Sequence, residues 1–419
     1  MLRKMAMIFG MMALTATASE GRELRVATWN LGWHMSKAMS ADWVQKCSAP
    51  FQWNEKTGLW EPGTAGPSGW ELKWGRDAKI AWDISVLPPC DVFQVFHDVV
   101  PVTATAYDKR DRQISSVLDK AVQPEVIAFQ EVSGKDAVLD VLPGGATSWN
   151  VCSFTDYKVQ RLAIAWKKEL GEGSDCSAFD VLSLPNRPEK ERPRPGLAVT
   201  IKVDGQDWRF LTVHLKSSCV SPLEATAANP DRGKLDGGDT NCEILRDQVP
   251  ALESCLESET GRFGHLVLLG DFNRNLWHEK SMTGSVRPDG SDPTTVLPSG
   301  VLVRNLLKEV DDGAPSSSKM ALLEETCPLN DATKKACADA EIENTADAVK
   351  VLSKPENLGC RNPVGLDHIL ISSGLKSDGQ GQKVPLGKMG RTLKASAEHP
   401  DPLLALSDHC PLVATLSAN

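Results

Sequence analysis

Short apolar runs of strand length alternate along this chain with stretches whose apolar residues recur every three to four positions, the pattern of an α/β protein. The first run, Leu24 to Trp29, ends at Asn30. Between Asp111 and Ala121, the residues Ile114, Val117, Leu118 and Ala121 fall at helical spacing, and Pro124 then precedes a buried-type strand, Val126 to Phe129, ending at Gln130 and Glu131. A helix is predicted over Lys135 to Leu142, with strands around Val151 and from Leu162 to Trp166. Leu197, Val199, Ile201 and Val203 alternate with other residues before an Asp204-Gly205 turn and a return strand from Trp208 to Leu215, which together read as a β-hairpin. A helix over Asn241 to Leu256 leads into the strand His265 to Leu269, and the last strands are Leu366 to Ile371 and Pro411 to Leu416. No fixed-period repeat interrupts this order.

Two stretches do interrupt it, residues 33 to 107 and 274 to 364, and both are too long for ordinary loops, so they read as insertions. The first holds Trp33, Trp43, Trp53, Trp60, Trp70, Trp74 and Trp82, seven of the twelve tryptophans. Such rings stack on bases or sugars, wedge into a lipid interface, or pack among themselves. Without interleaved basic residues, the expected role is a small satellite core pinned by a disulfide. The second insertion is polar and carries Cys327, Cys337 and Cys360.

At 419 residues, with 41% hydrophobic and 24% charged side chains, the chain has enough apolar material for a sizeable core. Its formal charge of −9 excludes a basic protein that coats nucleic acid non-specifically. An anionic substrate then requires local counter-charge, which a bound divalent cation also supplies. At the N-terminus, Arg3 and Lys4 precede an apolar run from Met5 to Leu14 and the small residues Ala16-Thr17-Ala18, the form of a secretory signal peptide over residues 1–18. The run is too short to span a bilayer, so the expected mature chain is exported, periplasmic or extracellular, and soluble. All eleven cysteines lie beyond that point and read as a disulfide framework with one thiol over. The expected pairs are Cys47 with Cys90, Cys152 with Cys176 and Cys219 with Cys242, and Cys410 is expected free in a core strand, although spacing alone does not fix connectivity.

Polar residues cluster where the strands end. Asn30 closes ThrTrpAsnLeu, Glu131 closes IleAlaPheGlnGlu, and His214 lies in ThrValHisLeuLys. Asp271 and Asn273 follow in GlyAspPheAsn, Asp367 in GlyLeuAspHisIle, and Asp408 with His409 in SerAspHisCysPro. Singly, each has an ordinary reading as a turn residue, a cap or a satisfied core histidine. Six such clusters, each flanking a strong apolar strand, supply what metal-assisted phosphate-ester hydrolysis needs: carboxylates for a hard cation, a base for water, and donors for developing charge.

In this order the blocks resemble the endonuclease/exonuclease/phosphatase superfamily over residues 24 to 30 and 108 to 419. The resemblance implies a four-layered α/β sandwich, deoxyribonuclease I-like, with two mainly antiparallel sheets flanked by helices, here one domain over 22–419 interrupted by the two insertions. It implies Glu131 as the principal Mg²⁺ ligand, with Asn30 and Asp408 completing the shell and Mn²⁺ or Ca²⁺ as alternative ions. Asp271 would orient or deprotonate the attacking water, Asn273 would contact phosphate, and His409, oriented by Asp367, would stabilise the transition state. His214 is implied as a second histidine and leaving-group acid, and Arg161, in GlnArgLeuAlaIle, as a phosphate-binding arginine.

The expected activity is therefore that of a metal-dependent phosphodiester hydrolase, a secreted or periplasmic nuclease acting on DNA, with RNA as the second nucleic acid. A sphingomyelinase or phospholipase C-like enzyme acting on phospholipid is the alternative. A phosphoinositide phosphatase is disfavoured, because LeuLeuGlyAspPheAsn and GlyLeuAspHisIle stand where that branch carries other blocks. A non-catalytic envelope-binding protein that kept the fold would show decay of the catalytic set, whereas each matched position holds a competent residue. Nothing in the sequence calls for an obligate protein partner.

Overall fold

The computed structural model describes residues 22–154, 158–281, 283–285, 294–296, 302–311, 313, 315–323, 325–326, 331–343 and 346–419. The expected signal peptide lies outside the described residues. Fourteen strands carry the scaffold: β1 (Leu24–His34), β2 (Val126–Val132), β3 (Trp149–Ser153), β4 (Arg161–Lys167), β5 (Gly173–Phe179), β6 (Gly196–Val203), β7 (Gln206–His214), β8 (His265–Asp271), β9 (Met320–Leu322), β10 (Glu325–Thr326), β11 (Asp367–Ser372), β12 (Leu375–Ser377), β13 (Gly381–Lys383) and β14 (Leu412–Ala418). The first sheet has the order β10-β13-β14-β1-β2-β4-β3, with β12 also on β14, and the second has the order β9-β11-β8-β7-β6-β5. Within them β1–β2, β7–β8 and β10–β13 are parallel and the other pairs antiparallel.

Alternation along the strands decides the layering. Leu24, Val26, Val126, Ala128 and Ile164 face Val199, Ile201, Phe210, Val267 and Ile369 between the sheets. The intervening residues Ala27, Trp29, Ile127, Phe129 and Ala163 pack outward against helices α2 (Ala104–Val117), α3 (Lys135–Val141), α5 (Asp331–Glu343) and α6 (Ala346–Leu352). On the other outer face, Leu211, Val213, Leu266 and Leu268 pack under α4 (Thr240–Thr260) through Leu245, Val249 and Leu252. The result is helix, sheet, sheet, helix, the four-layered sandwich the motifs imply.

Within residues 33 to 107, α1 (Lys37–Ser48) and two small hairpins surround an apolar cluster of Met35, Trp43, Cys47, Trp70, Leu87, Cys90 and Phe93 that also takes in Tyr107 and Leu404. Cys47–Cys90 pins this satellite core. Within residues 274 to 364, β9 adds a strand beside β11, and α5 and α6 help cover the first sheet.

Cys152–Cys176 and Cys219–Cys242 join as expected, whereas Cys410 is bonded to Cys360 and is not free. The reason is local: Asn362 bridges to His409, which brings the preceding cysteine of one segment beside the following cysteine of the other. Cys255, buried on α4, is the free thiol among the described residues. Cys337 is disulfide-bonded, and Cys327 lies outside the described residues.

Candidate active site

Chain direction brings five strand ends to one edge of the sandwich. Asn30 pairs opposite Gln130 in parallel β1 and β2, and His214 stands opposite Asp271 in parallel β7 and β8. Asp271 is in turn opposite Asp367 at the start of antiparallel β11. Gly270 permits this close pairing, because at its φ of 144° a Cβ would lie 2.1 Å from the Val213 carbonyl oxygen.

The strand ends are bent as well as adjacent. Trp33, Glu131 and Asn273 have φ of 59°, 56° and 50°, a region that asparagine tolerates and that other side chains rarely enter. The β2 ladder shifts register between Gln130 and Val132, so Glu131 is the residue the bulge re-aims. Its Oε2 accepts from Gln160 Nε2 at 2.7 Å and from the Trp33 backbone N–H at 3.2 Å. Its Oε1 lies 3.4 Å from Asn30 Nδ2 and 3.8 Å from His214 Nε2. The Asn30 amide also donates to Asp271 Oδ2 at 2.9 Å and so joins the two sheets across their shared edge.

Asp271 is buried and accepts on both oxygens, Oδ1 from the Asn273 N–H at 2.8 Å and Oδ2 from Asn30. His214 Nε2 and His409 Nε2 stand 3.5 and 3.8 Å from Oδ2. Burial, partly countered by His409, pushes the Asp271 carboxyl up to about 6. Burial likewise raises Glu131, against the nearby Arg194 guanidinium. His214 is driven well below its ordinary value by burial, Arg194 and His409, so it is neutral at pH 7.

His409 behaves oppositely. Burial works against its charge, but Asp367 and Asp271 outweigh it and raise the imidazole to about 10. Its Nδ1 lies 3.1 Å from both Asp367 oxygens, and Lys383 Nζ reaches Asp367 Oδ2 at 2.8 Å. Burial would raise Asp367, yet Lys383 and His409 hold it well below the carboxylate range. Asp408 accepts from Asn362 Nδ2 at 3.1 Å, and Arg361 is 3.5 Å from the same oxygen. Cys360–Cys410 closes this corner on both sides.

Asn30, Glu131, His214, Asp271, Asp367 and His409 thus form one connected network, with Asp408 attached through Asn362. Asn273 joins it through its backbone, while its side-chain amide donates to the Leu215 carbonyl at 3.0 Å. Arg161 donates to the carbonyls of Ser133 at 3.1 Å and Lys158 at 3.2 Å. The guanidinium placed beside the carboxylates is that of Arg194, bonded to the Gln160 carbonyl at 3.2 Å, to Gln160 Oε1 at 3.1 Å and to the His214 carbonyl at 3.4 Å. All three acceptors are neutral. Half-buried Lys216, its ammonium lowered by burial and by Arg194, adds a second cation. Arg194, Lys216, Gln160, Asn362 and Lys383 were not legible as site residues in the sequence. Arg194 alone carried a signal, standing in ArgProArgProGly immediately before the strand that pairs with that of His214.

Among the described residues, Asp271, Asp367 and His409 offer three ligand atoms within 4.8 Å of one another. Asp367 is already engaged by Lys383 and His409, so that trio is better described as a hydrogen-bonded relay. Glu131, with Asn30 and Asp408, is the oxygen-rich set that suits a hard divalent cation. Such a cation would also relieve the burial that raises Glu131 and Asp271.

No protein-family model and no curated protein matches the chain. Solved structures similar to it include an endonuclease/exonuclease/phosphatase family protein from Bacteroides thetaiotaomicron, at a TM-score of 0.44 and 11% identity over 96% of this chain and 99% of that one. The human Nocturnin catalytic domain with bound sulfate is similar at a TM-score of 0.42 and 15% identity, covering 95% of each chain. A humanized D. rerio TDP2 is similar at 0.40 and 11%, covering 94% of this chain and 99% of that one. With TM-scores below 0.5, these likenesses leave the reading of the site to its own geometry.

Proposed function

We propose that this chain is an exported, divalent-metal-dependent phosphodiesterase of the superfamily its motifs resemble, a nuclease that cleaves DNA, with RNA second, by activated water. The observation that carries the reading is the bridge from Asn30 Nδ2 to Asp271 Oδ2 at 2.9 Å and to Glu131 Oε1 at 3.4 Å, which unites a cation-type carboxylate and a base-type carboxylate across two sheets.

Glu131, Asn30 and Asp408 would hold the cation, which when bound draws charge from the phosphoryl oxygens. Asp271, with its oxygens fixed by Asn30 and the Asn273 N–H, holds a water and takes its proton. His409 gives Nδ1–H to Asp367, which leaves Nε2–H for an oxygen of the transition state as a charge-assisted donor. Neutral His214 contributes a hydrogen bond rather than a charge. Arg194, held by neutral acceptors, retains its positive charge for the substrate phosphate, the local counter-charge an acidic protein requires.

The test is nicking of supercoiled plasmid by the mature chain with Mg²⁺ or with chelator, alongside His409→Ala. Metal-dependent nicking that is lost in the variant is expected. Absence of nicking by the parent protein would overturn the DNA reading and direct assays to RNA, phospholipid and small phosphoesters.

A further inference from the structure

Six tryptophans of the 33–107 insertion are accounted for by its own packing. Trp43 meets Trp70 edge to face at 5.2 Å, Trp74 meets Trp82 at 5.4 Å, and Trp53 meets Trp60 at 5.9 Å. The indole N–H groups of Trp43, Trp70, Trp74 and Trp82 all donate. Trp33 is different. Among the described residues its half-buried indole has no ring partner, no cation over it, no hydrogen bond and no place in the apolar cores.

The backbone nevertheless holds this residue in a costly conformation. Trp33 has φ of 59°, directly after Gly32 at 57°, and these two successive left-handed residues lie where the β1–β2 register shifts between Asn30 and His34. The turn sets the Trp33 N–H on Glu131 Oε2 at 3.2 Å. It also sets Gly32 against Asp408, where a Cβ would lie 3.3 Å from Oδ1. The backbone that carries this large aromatic side chain is therefore fixed beside two of the carboxylates assigned to the cation.

We propose that Trp33 is a base-stacking platform, so that the substrate of this site carries an aromatic nucleobase next to the phosphate that is cut. The proposal rests on the phosphodiesterase reading and deepens it, since stacking selects a nucleotide over other phosphodiesters while tolerating any base. A lipid wedge calls for a protruding side chain such as Phe96, 94% exposed at a hairpin tip. Trp33 instead is half-buried, on the turn whose backbone meets Glu131.

The test measures binding apart from cleavage. Fluorescence anisotropy would follow a labelled oligothymidylate, and a strand of equal length built of abasic residues, bound to the full mature chain carrying His409→Ala. The same titrations follow with Trp33→Asn, which removes the ring and suits the left-handed backbone, and with Trp33→Phe, which keeps a ring. Oligothymidylate should bind roughly ten-fold or more tightly than the abasic strand. Trp33→Asn should erase that gap while leaving abasic affinity unchanged, and Trp33→Phe should retain most of it. A parent protein without the gap, a gap that survives Trp33→Asn, or equal weakening of both strands would overturn the proposal. So would binding to sphingomyelin–phosphatidylcholine vesicles that is lost in Trp33→Asn, with oligothymidylate affinity unmoved. Plasmid nicking is scored separately, so failure of the reaction and failure of stacking remain distinct.

Discussion

The Lys383 ammonium meets the Asp367 carboxylate at 2.8 Å where neither side chain reaches solvent, and both oxygens of that carboxylate stand 3.1 Å from His409 Nδ1. Lys383 ends β13 in one sheet and Asp367 begins β11 in the other, so the pair ties the sheets together beneath His409. Removing one partner of a buried pair leaves the other charge poorly compensated, and typically costs about 3–5 kcal/mol. Lys383→Met should lower stability on that scale in urea denaturation. The Lys383→Met/Asp367→Asn double variant should lose less than the sum of the two single variants, because each replacement removes the same ion pair. Two losses that simply add would show that the residues are not energetically paired.

The Cys360–Cys410 bond closes the segment that presents Asn362 to Asp408 and His409. Replacing both cysteines by alanine should cost about 2–4 kcal/mol in stability, the usual range for a disulfide. It should also raise the Mg²⁺ concentration needed for half-maximal hydrolysis, since Asp408 loses its fixed neighbour. The Cys47→Ala/Cys90→Ala variant supplies the contrast, because that bond pins the satellite core, and its metal requirement should remain near that of the parent. Equal shifts in both variants would separate the disulfide from the cation site.

Two arginines are candidates for the phosphate contact. Arg194, bonded to Gln160 and to the His214 carbonyl, is the one whose charge acts on Glu131, whereas Arg161 is turned to the carbonyls of Ser133 and Lys158. Arg194→Gln should therefore lower kcat/KM by roughly 10²-fold, the scale of a lost transition-state donor. Arg161→Gln should change it much less. Steady-state kinetics showing the larger loss at Arg161 would reverse the assignment.

The strands and most of the carboxylates were legible because burial leaves a period in the sequence and because a polar residue ending an apolar run stands out. Asn30, Glu131, His214, Asp271, Asp367 and His409 were all found that way. Lys383 and Gln160 were not, since a lysine after GlyGlnGlyGln and a glutamine beside an arginine look like surface residues until the fold closes over them. The Cys360–Cys410 bond was missed for a related reason: fifty residues separate its cysteines, and the isolated bridge between Asn362 and His409 that joins them has no sequence pattern. That the half-buried Trp33 indole has no ring or hydrogen-bond partner among the described residues was equally invisible, because seven tryptophans in one insertion read alike until six of them find partners.

His34 permits a pH test well supported by its surroundings. Its Nε2–H donates to the Ala137 carbonyl at 3.0 Å and its Nδ1 accepts from Arg110 at 2.9 Å, the arrangement of a neutral imidazole. Arg110 in turn donates to the carbonyls of Leu31, Ala405 and Leu406, so it fixes the end of β1 against the segment leading to Asp408. Burial first, and then Arg110, lowers His34 to about 3. The unfolded chain takes up this proton near the ordinary histidine value of about 6.5, while the folded chain refuses it until far lower pH, so His34 withdraws stability as pH falls through that interval. His34→Gln keeps an acceptor for Arg110 and removes the titration. The stability advantage of the parent over this variant should therefore narrow steadily from pH 7 to pH 4, by at most about 1.4 kcal/mol per pH unit. Denaturant unfolding at several pH values checks it, and an advantage that stays constant across the range would mean that His34 is not held neutral in the folded protein.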